Sequence, residues 1–134
     1  MPPSPGRLVL VTVMLGLLLG SCSGGPPDLV LQEQAVDLGE VTNGQVRTIE
    51  VGVENKGRGD LVIEAVTTSC GCTTAAVNPM TIGPGETGKL TVKYDSGAHG
   101  PDFTGTVMRQ VFIDSNDPDQ PEVEFRFTAD VAAP

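Results

Sequence analysis

Val123-Glu124-Phe125-Arg126-Phe127-Thr128-Ala129-Asp130-Val131 is the stretch that decides the fold. Every second side chain is apolar, and those between are charged or polar. Successive side chains on a strand point to opposite faces, so the pattern predicts a half-buried strand with one dry face and one wet face. The same period of two recurs upstream. Ile49, Val51 and Val53 alternate with Glu50, Gly52 and Glu54, and Leu90, Val92 and Tyr94 alternate with Lys89, Thr91 and Lys93. Further strands are expected near 29–32, 36–38, 61–67, 73–77 and 106–114. In the last of these Val107, Val111 and Ile113 share one face with Arg109, a polar exception that leaves the facing open.

Turn signals separate these runs. Asn55-Lys56-Gly57-Arg58-Gly59-Asp60, Gly83-Pro84-Gly85-Glu86 and Asn116-Asp117-Pro118-Asp119 combine glycine, proline and Asx residues in the manner of tight turns. No segment sustains a helical period. About seven short strands at this spacing imply an all-β protein, an antiparallel β-sandwich of immunoglobulin-like type. The sequence contains Tyr94 and four phenylalanines but no tryptophan, so the core must rest mainly on Val, Ile, Leu and Ala.

The N-terminus has a different character. After Arg7, Leu8 to Leu19 run apolar for twelve residues. That is short of the ~20 residues a membrane-spanning helix needs, and it fits the ~7–15-residue apolar core of a secretory signal. The run ends in Leu19-Gly20-Ser21-Cys22, which resembles the lipobox of bacterial lipoproteins. Small residues give the signal peptidase access to the backbone, and the thiol accepts a diacylglycerol. Residues 1–21 are therefore expected to be a lipoprotein signal peptide and Cys22 the lipidated first residue of the mature chain. Two or three acyl chains anchor a protein durably, at ~0.8 kcal/mol per buried methylene. The expected location is the cell envelope, on the outer membrane or on a periplasmic or extracellular membrane face. Residues 22–28 read as the lipidated end and a flexible Gly-Pro spacer, and 29–134 as one domain. The mature part holds all 17 acidic residues and seven of the eight basic ones, a net charge of −10. Such acidity argues against nucleic acid or an anionic lipid surface as a partner.

The most unusual stretch is Thr68-Ser69-Cys70-Gly71-Cys72-Thr73-Thr74. With Leu38-Gly39-Glu40-Val41, Val53-Glu54-Asn55-Lys56-Gly57 and Leu61-Val62-Ile63 before it, the chain resembles the bacterial DUF1573 family, related to the ASPM–SPD-2–hydin modules. Ile82-Gly83-Pro84-Gly85-Glu86, Val92-Lys93-Tyr94-Asp95 and Asp114-Ser115-Asn116-Asp117-Pro118 continue the likeness over roughly residues 35–131. The resemblance implies an immunoglobulin-like sandwich in an exported protein and implies no activity.

Cys70 and Cys72 admit three states. On an extended strand their Cα atoms would lie ~6.5–7 Å apart, the upper limit for a disulfide, and Gly71 has the backbone freedom to draw them closer. An easily reduced disulfide would suit a redox couple in an oxidising compartment. A thiolate pair would suit Cu(I) better than Zn(II), with His99, the only histidine, as a weak third ligand. The plainest state is a structural disulfide or two buried thiols. Met80 and Met108 could offer thioethers, although core or loop filling is the default for both. No nucleophile elbow or phosphate-binding loop is present, so no enzyme activity is expected. The primary functional expectation is a non-catalytic binding or structural module without a cofactor, presented to an envelope protein, peptide or glycan. Its alternative is a Cu(I)-binding or thiol-redox lipoprotein built on Cys70 and Cys72.

Overall fold

The alternating runs become strands because only a two-sided sheet can bury every second side chain and wet the rest. The computed structural model describes residues 1–3 and 24–134. The signal segment and Cys22 lie outside the described residues. Among the described residues nine strands follow one another: β1 (Leu29–Leu31), β2 (Ala35–Thr42), β3 (Val46–Asn55), β4 (Leu61–Thr68), β5 (Thr73–Asn78), β6 (Thr81–Ile82), β7 (Thr87–Asp95), β8 (Gly105–Ser115) and β9 (Glu122–Ala132). They form a four-stranded sheet, β1-β3-β7-β5, and a five-stranded sheet, β2-β9-β8-β4-β6. The fold class is the expected immunoglobulin-like sandwich.

Two details depart from expectation. The two-residue β6, too short for a periodic signal, pairs with Leu61 and Val62. And β2 runs parallel to β9, the one parallel pair among the described strands. β2 is also longer than the 36–38 core of the prediction. Its register shifts between Asp37 and Glu40, where Gly39 adopts a φ of 63° and donates its N–H to Asp37 Oδ1 at 2.9 Å. That bulge lets the strand bend and resume pairing.

The core lies between the sheets. Val51, Val53, Leu90, Val92 and Tyr94 from one sheet meet Val111, Ile113, Phe125 and Phe127 from the other, all buried. Tyr94 and Phe127 rings pack tilted at 5.3 Å between centroids. The polar exception on β8 resolves: Val107, Val111 and Ile113 point inward, so the row carrying Arg109 is the inward one. Met80 and Met108, whose default was filling, are about half exposed.

A buried amide ties one end of the sandwich together. Asn55, 1% exposed, donates to the carbonyls of Gly59 (2.7 Å) and Ile82 (2.9 Å), and its Oδ1 accepts from the Gly57 (3.0 Å) and Asp28 (3.2 Å) N–H groups. The turn at 55–60 also holds the chain preceding β1. Lys56 N–H donates to Asp28 O and Arg58 N–H to Pro26 O, so Pro26–Asp28, expected within a flexible spacer, is docked. Gly57 and Gly59 permit this, because a Cβ on Gly57 would strike the Pro26–Asp28 backbone and one on Gly59 would strike the Gly25 carbonyl. Nearby, the buried Asp117 carboxylate accepts from the N–H groups of Leu29, Asp119 and Gln120. Burial pushes its pKa up, but these three donors outweigh it and hold the group below the ordinary aspartate value.

Candidate functional site

The segment Ser69–Cys72 is the turn that carries the chain from β4 in one sheet to β5 in the other. It is clamped from both sides. Ser69 N–H donates to Gln110 O on β8, and Gln110 N–H returns to Ser69 Oγ, each at 3.0 Å. Asp95 N–H on β7 donates to Cys72 O at 2.9 Å, and Thr73 N–H to Cys70 O at 3.2 Å. The Thr68 hydroxyl lies 3.0 Å from Cys70 O and 3.1 Å from Thr73 O.

Because Cys70 and Cys72 flank a turn, the extended spacing does not apply. Their Cα atoms are 5.2 Å apart and the sulfurs are joined in a disulfide. The separation falls inside the usual range for such bonds. Gly71 does not supply this approach through a left-handed backbone: its φ is not positive, and a Cβ there would meet nothing within 4 Å. Cys72 is buried at 6% exposure, while Cys70 is half-buried. The Cys72 N–H points at Cys70 Sγ, 3.1 Å away.

Two basic side chains converge on the disulfide. Arg109 Nε donates to Cys72 Sγ at 3.2 Å, and its Nη1 to the Met108 carbonyl at 2.9 Å. Arg109 Nη2 lies 2.8 Å from His99 Nε2, which must accept since a guanidinium has no lone pair to offer. The same Nε2 is 3.9 Å from Cys70 Sγ. His99 reaches this position from the β7–β8 loop and packs at 5.1 Å against the Phe103 ring. The three sequence candidates Cys70, Cys72 and His99 are thus together, with ligand atoms all within 4.8 Å of one another. That set could hold a metal only with the sulfurs reduced, since a disulfide offers no thiolates.

Arg109 is the site residue sequence reasoning passed over as a role, although its signal was visible as a charged residue in an apolar row. Below the site the Tyr94 hydroxyl is fully buried without a hydrogen-bond partner. Burial raises its pKa and nearby Asp95 adds to this, while Arg109 pulls the other way.

Comparisons with known proteins fit this architecture. A family model described as a protein of unknown function, DUF1573, matches residues 29–131. No curated protein matches the chain. Among solved structures, a protein of unknown function from Porphyromonas gingivalis W83 superposes with a TM-score of 0.71 at 23% identity. The match covers 78% of this chain and 46% of that one. The ASH/PapD-like domain 7 of human CEP192 gives a TM-score of 0.62 at 8% identity, covering 97% and 99% of the two chains. The Vibrio cholerae VesB protease gives 0.62 at 15% identity, over 76% of this chain and 31% of that one. The chain therefore spans less than half of the Porphyromonas protein and about a third of the protease. At these identities the likeness concerns the fold alone.

Proposed function

Since this chain belongs to the DUF1573 family, a family without an assigned activity, we propose that it is a membrane-tethered, non-catalytic binding module that takes an extended peptide segment along the edge of β5. The carrying observation is the chemistry of that edge. An open strand edge is a template for pairing, and proteins ordinarily guard it with charge, proline, bulges or brevity. β1 has three residues and β6 two. β2 carries Asp37, Glu40 and a register shift. β3 beyond β1 carries Arg47 and Glu50, and β4 beyond β6 carries Glu64 and a shift at Ile63/Ala65. β5 reads Thr-Thr-Ala-Ala-Val-Asn, six residues without a charge or an internal proline, in unbroken register with β7.

The ladder also says which groups are free to pair. Asp95 N–H donates to Cys72 O, so the directly opposed pairs 72/95, 74/93, 76/91 and 78/89 exchange hydrogen bonds with β7. The backbone groups of Thr73, Ala75 and Val77 then face away from β7. Those of Thr73 are taken by Cys70 O and the Thr68 hydroxyl, leaving Ala75 and Val77 to receive a partner strand. A shallow depression of about 300 Å³ lined by Thr74, Ala75, Ala76, Thr91 and Lys93 borders this edge. Lys93 has no carboxylate partner among the described residues, which favours a segment bearing an acidic side chain. Pairing of this kind draws affinity from the main chain and specificity from alternate side chains.

Ala75→Pro tests this reading. It removes an outward N–H and leaves the β5–β7 ladder intact. An envelope protein or peptide crosslinked to the wild type should be lost with Ala75→Pro and retained when Cys70 and Cys72 are both serine. Retained crosslinking to Ala75→Pro, with crosslinks mapping away from β5, refutes it. The tether is tested separately: labelled palmitate should leave the chain when Cys22 becomes alanine.

A second reading is favoured by the convergence of Cys70, Cys72 and His99. Two thiolates and Cu(I) carry a net charge of −1, which the adjacent Arg109 guanidinium would balance. Cu(I) should then bind the reduced chain one to one, and Cys70→Ser should abolish it; no uptake by the reduced chain rules this reading out.

A further inference from the structure

Arg109 is the one charged residue in the inward row of β8, and the described ion pairs, Lys56–Glu54 and Lys89–Glu50, do not include it. Arg109 is a half-buried residue, and its guanidinium is spent on a sulfur, an imidazole nitrogen and a carbonyl. A disulfide sulfur is neutral and a weak acceptor, so Nε gains little from Cys72 Sγ while the bond is closed. If Cys72 becomes a thiolate, the same contact becomes a charge-assisted hydrogen bond between opposite charges, roughly twice as strong as a neutral one. The arrangement therefore favours the reduced state over the oxidised one. A purely structural disulfide has no use for such a group.

We propose that Cys70–Cys72 is a redox-active disulfide, with Cys70 the sulfur that is attacked and Cys72 the leaving thiolate held by Arg109. The co-reactant is a dithiol, on a small molecule or on a protein. Its thiolate attacks the more accessible Cys70 Sγ and forms a mixed disulfide. The Cys70–Cys72 bond breaks, and its electron pair leaves on Cys72 Sγ against Arg109 Nε–H. The second thiol of the donor, giving its proton to solvent, then attacks its partner sulfur in the mixed disulfide. This closes the donor's own disulfide and releases Cys70, which takes up a proton. Two electrons pass from the dithiol to the cysteine pair, and Cys72 remains as thiolate. A stabilised leaving thiolate speeds its expulsion and makes the disulfide the more oxidising partner. His99, accepting from Arg109 Nη2, is a positioning residue that holds the guanidinium in line.

The experiment equilibrates the full chain in detergent with graded reduced and oxidised dithiothreitol. Free thiols are trapped by alkylation and read by intact mass, with far-ultraviolet circular dichroism on the same samples. The cysteine pair should open and close reversibly while the sheet spectrum is retained. Arg109→Gln should shift the equilibrium constant about ten- to a hundredfold toward the disulfide, the scale of a hydrogen bond to a charged group. Arg109→Met should do the same, and serves if the glutamine variant fails to fold. Arg109→Lys should recover part of the shift, and His99→Ala should move it less than Arg109→Gln. A disulfide that opens only when the sheet unfolds overturns the proposal. So does an equilibrium that stays within about twofold of wild type in a folded Arg109→Gln or Arg109→Met variant.

Discussion

Replacing Asn55 with alanine should cost this domain much of its stability, although no apolar contact of size is lost. The side chain makes four hydrogen bonds, two donated and two accepted, that join the end of β3 to the 55–60 turn, to β6 and to the chain before β1. The bond to Ile82 O is fully buried, so its orphaned carbonyl would cost ~1–3 kcal/mol. The other three are partly buried, and water can reach their partners after the change, so each is worth about 0.5–1.5 kcal/mol. Together the loss is about 5 kcal/mol at the middle of these ranges, against a total of roughly 5–15 kcal/mol for a domain of this size. At ~4–8 °C per kcal/mol the midpoint of thermal unfolding should fall by about 20–40 °C. Thermal and urea melts followed by circular dichroism measure it. Asn55→Asp keeps the acceptor but loses both donors, so it should lie near the alanine variant. A drop below about 4 °C for alanine would show that water or a rearranged turn satisfies these groups, and the assignment of Asn55 as the tie between these segments would be wrong.

Other expectations concern single groups. Tyr94→Phe removes a buried hydroxyl without a partner, and should leave stability unchanged or raise it by up to ~1 kcal/mol; a loss of more than that would reveal a hidden partner. Asp117 has a pKa lowered in the fold, so its stabilisation is fully present above the unfolded value of ~3.9 and fades as pH falls through the lower folded value. Wild type should therefore lose stability in acid more steeply than Asp117→Asn, as urea midpoints between pH 6 and pH 2 would record; parallel curves would refute the role. Gly57→Ala forces a Cβ onto the Pro26–Asp28 backbone and should cost ~1–3 kcal/mol. Gly71→Ala meets open space and should stay within about 0.5 kcal/mol of wild type; equal melting temperatures for the two variants would contradict this contrast.

Much of the fold was legible because strand periodicity is local. The row Val123 to Val131 could be assigned from its own side chains, and so could Ile49–Val53 and Leu90–Tyr94. β6 was illegible because two residues cannot show a period, and the reach of β2 because its bulge depends on Gly39 and on β9 across the sheet. At the site, Cys70 and Cys72 were visible as a pair, but treating them as extended overstated their spacing. The turn that brings their Cα atoms to 5.2 Å is held by β7 and β8, far away in sequence. His99 was visible as a weak third ligand, but nothing within its loop announces that Arg109, ten residues on in β8, meets its ring.

Alternation along the chain was enough by itself to establish an all-β sandwich and to mark Cys70-Gly71-Cys72 as its oddest feature, because a strand's two faces are set by neighbouring residues alone. The company those cysteines keep was decided only in three dimensions. Packing one sheet on the other sets Arg109 Nε 3.2 Å from Cys72 Sγ across 37 residues of sequence, and His99 against Arg109 and Cys70. Charge and hydrogen bonding act through space, so the chemistry of the pair belongs to contacts that no local pattern encodes.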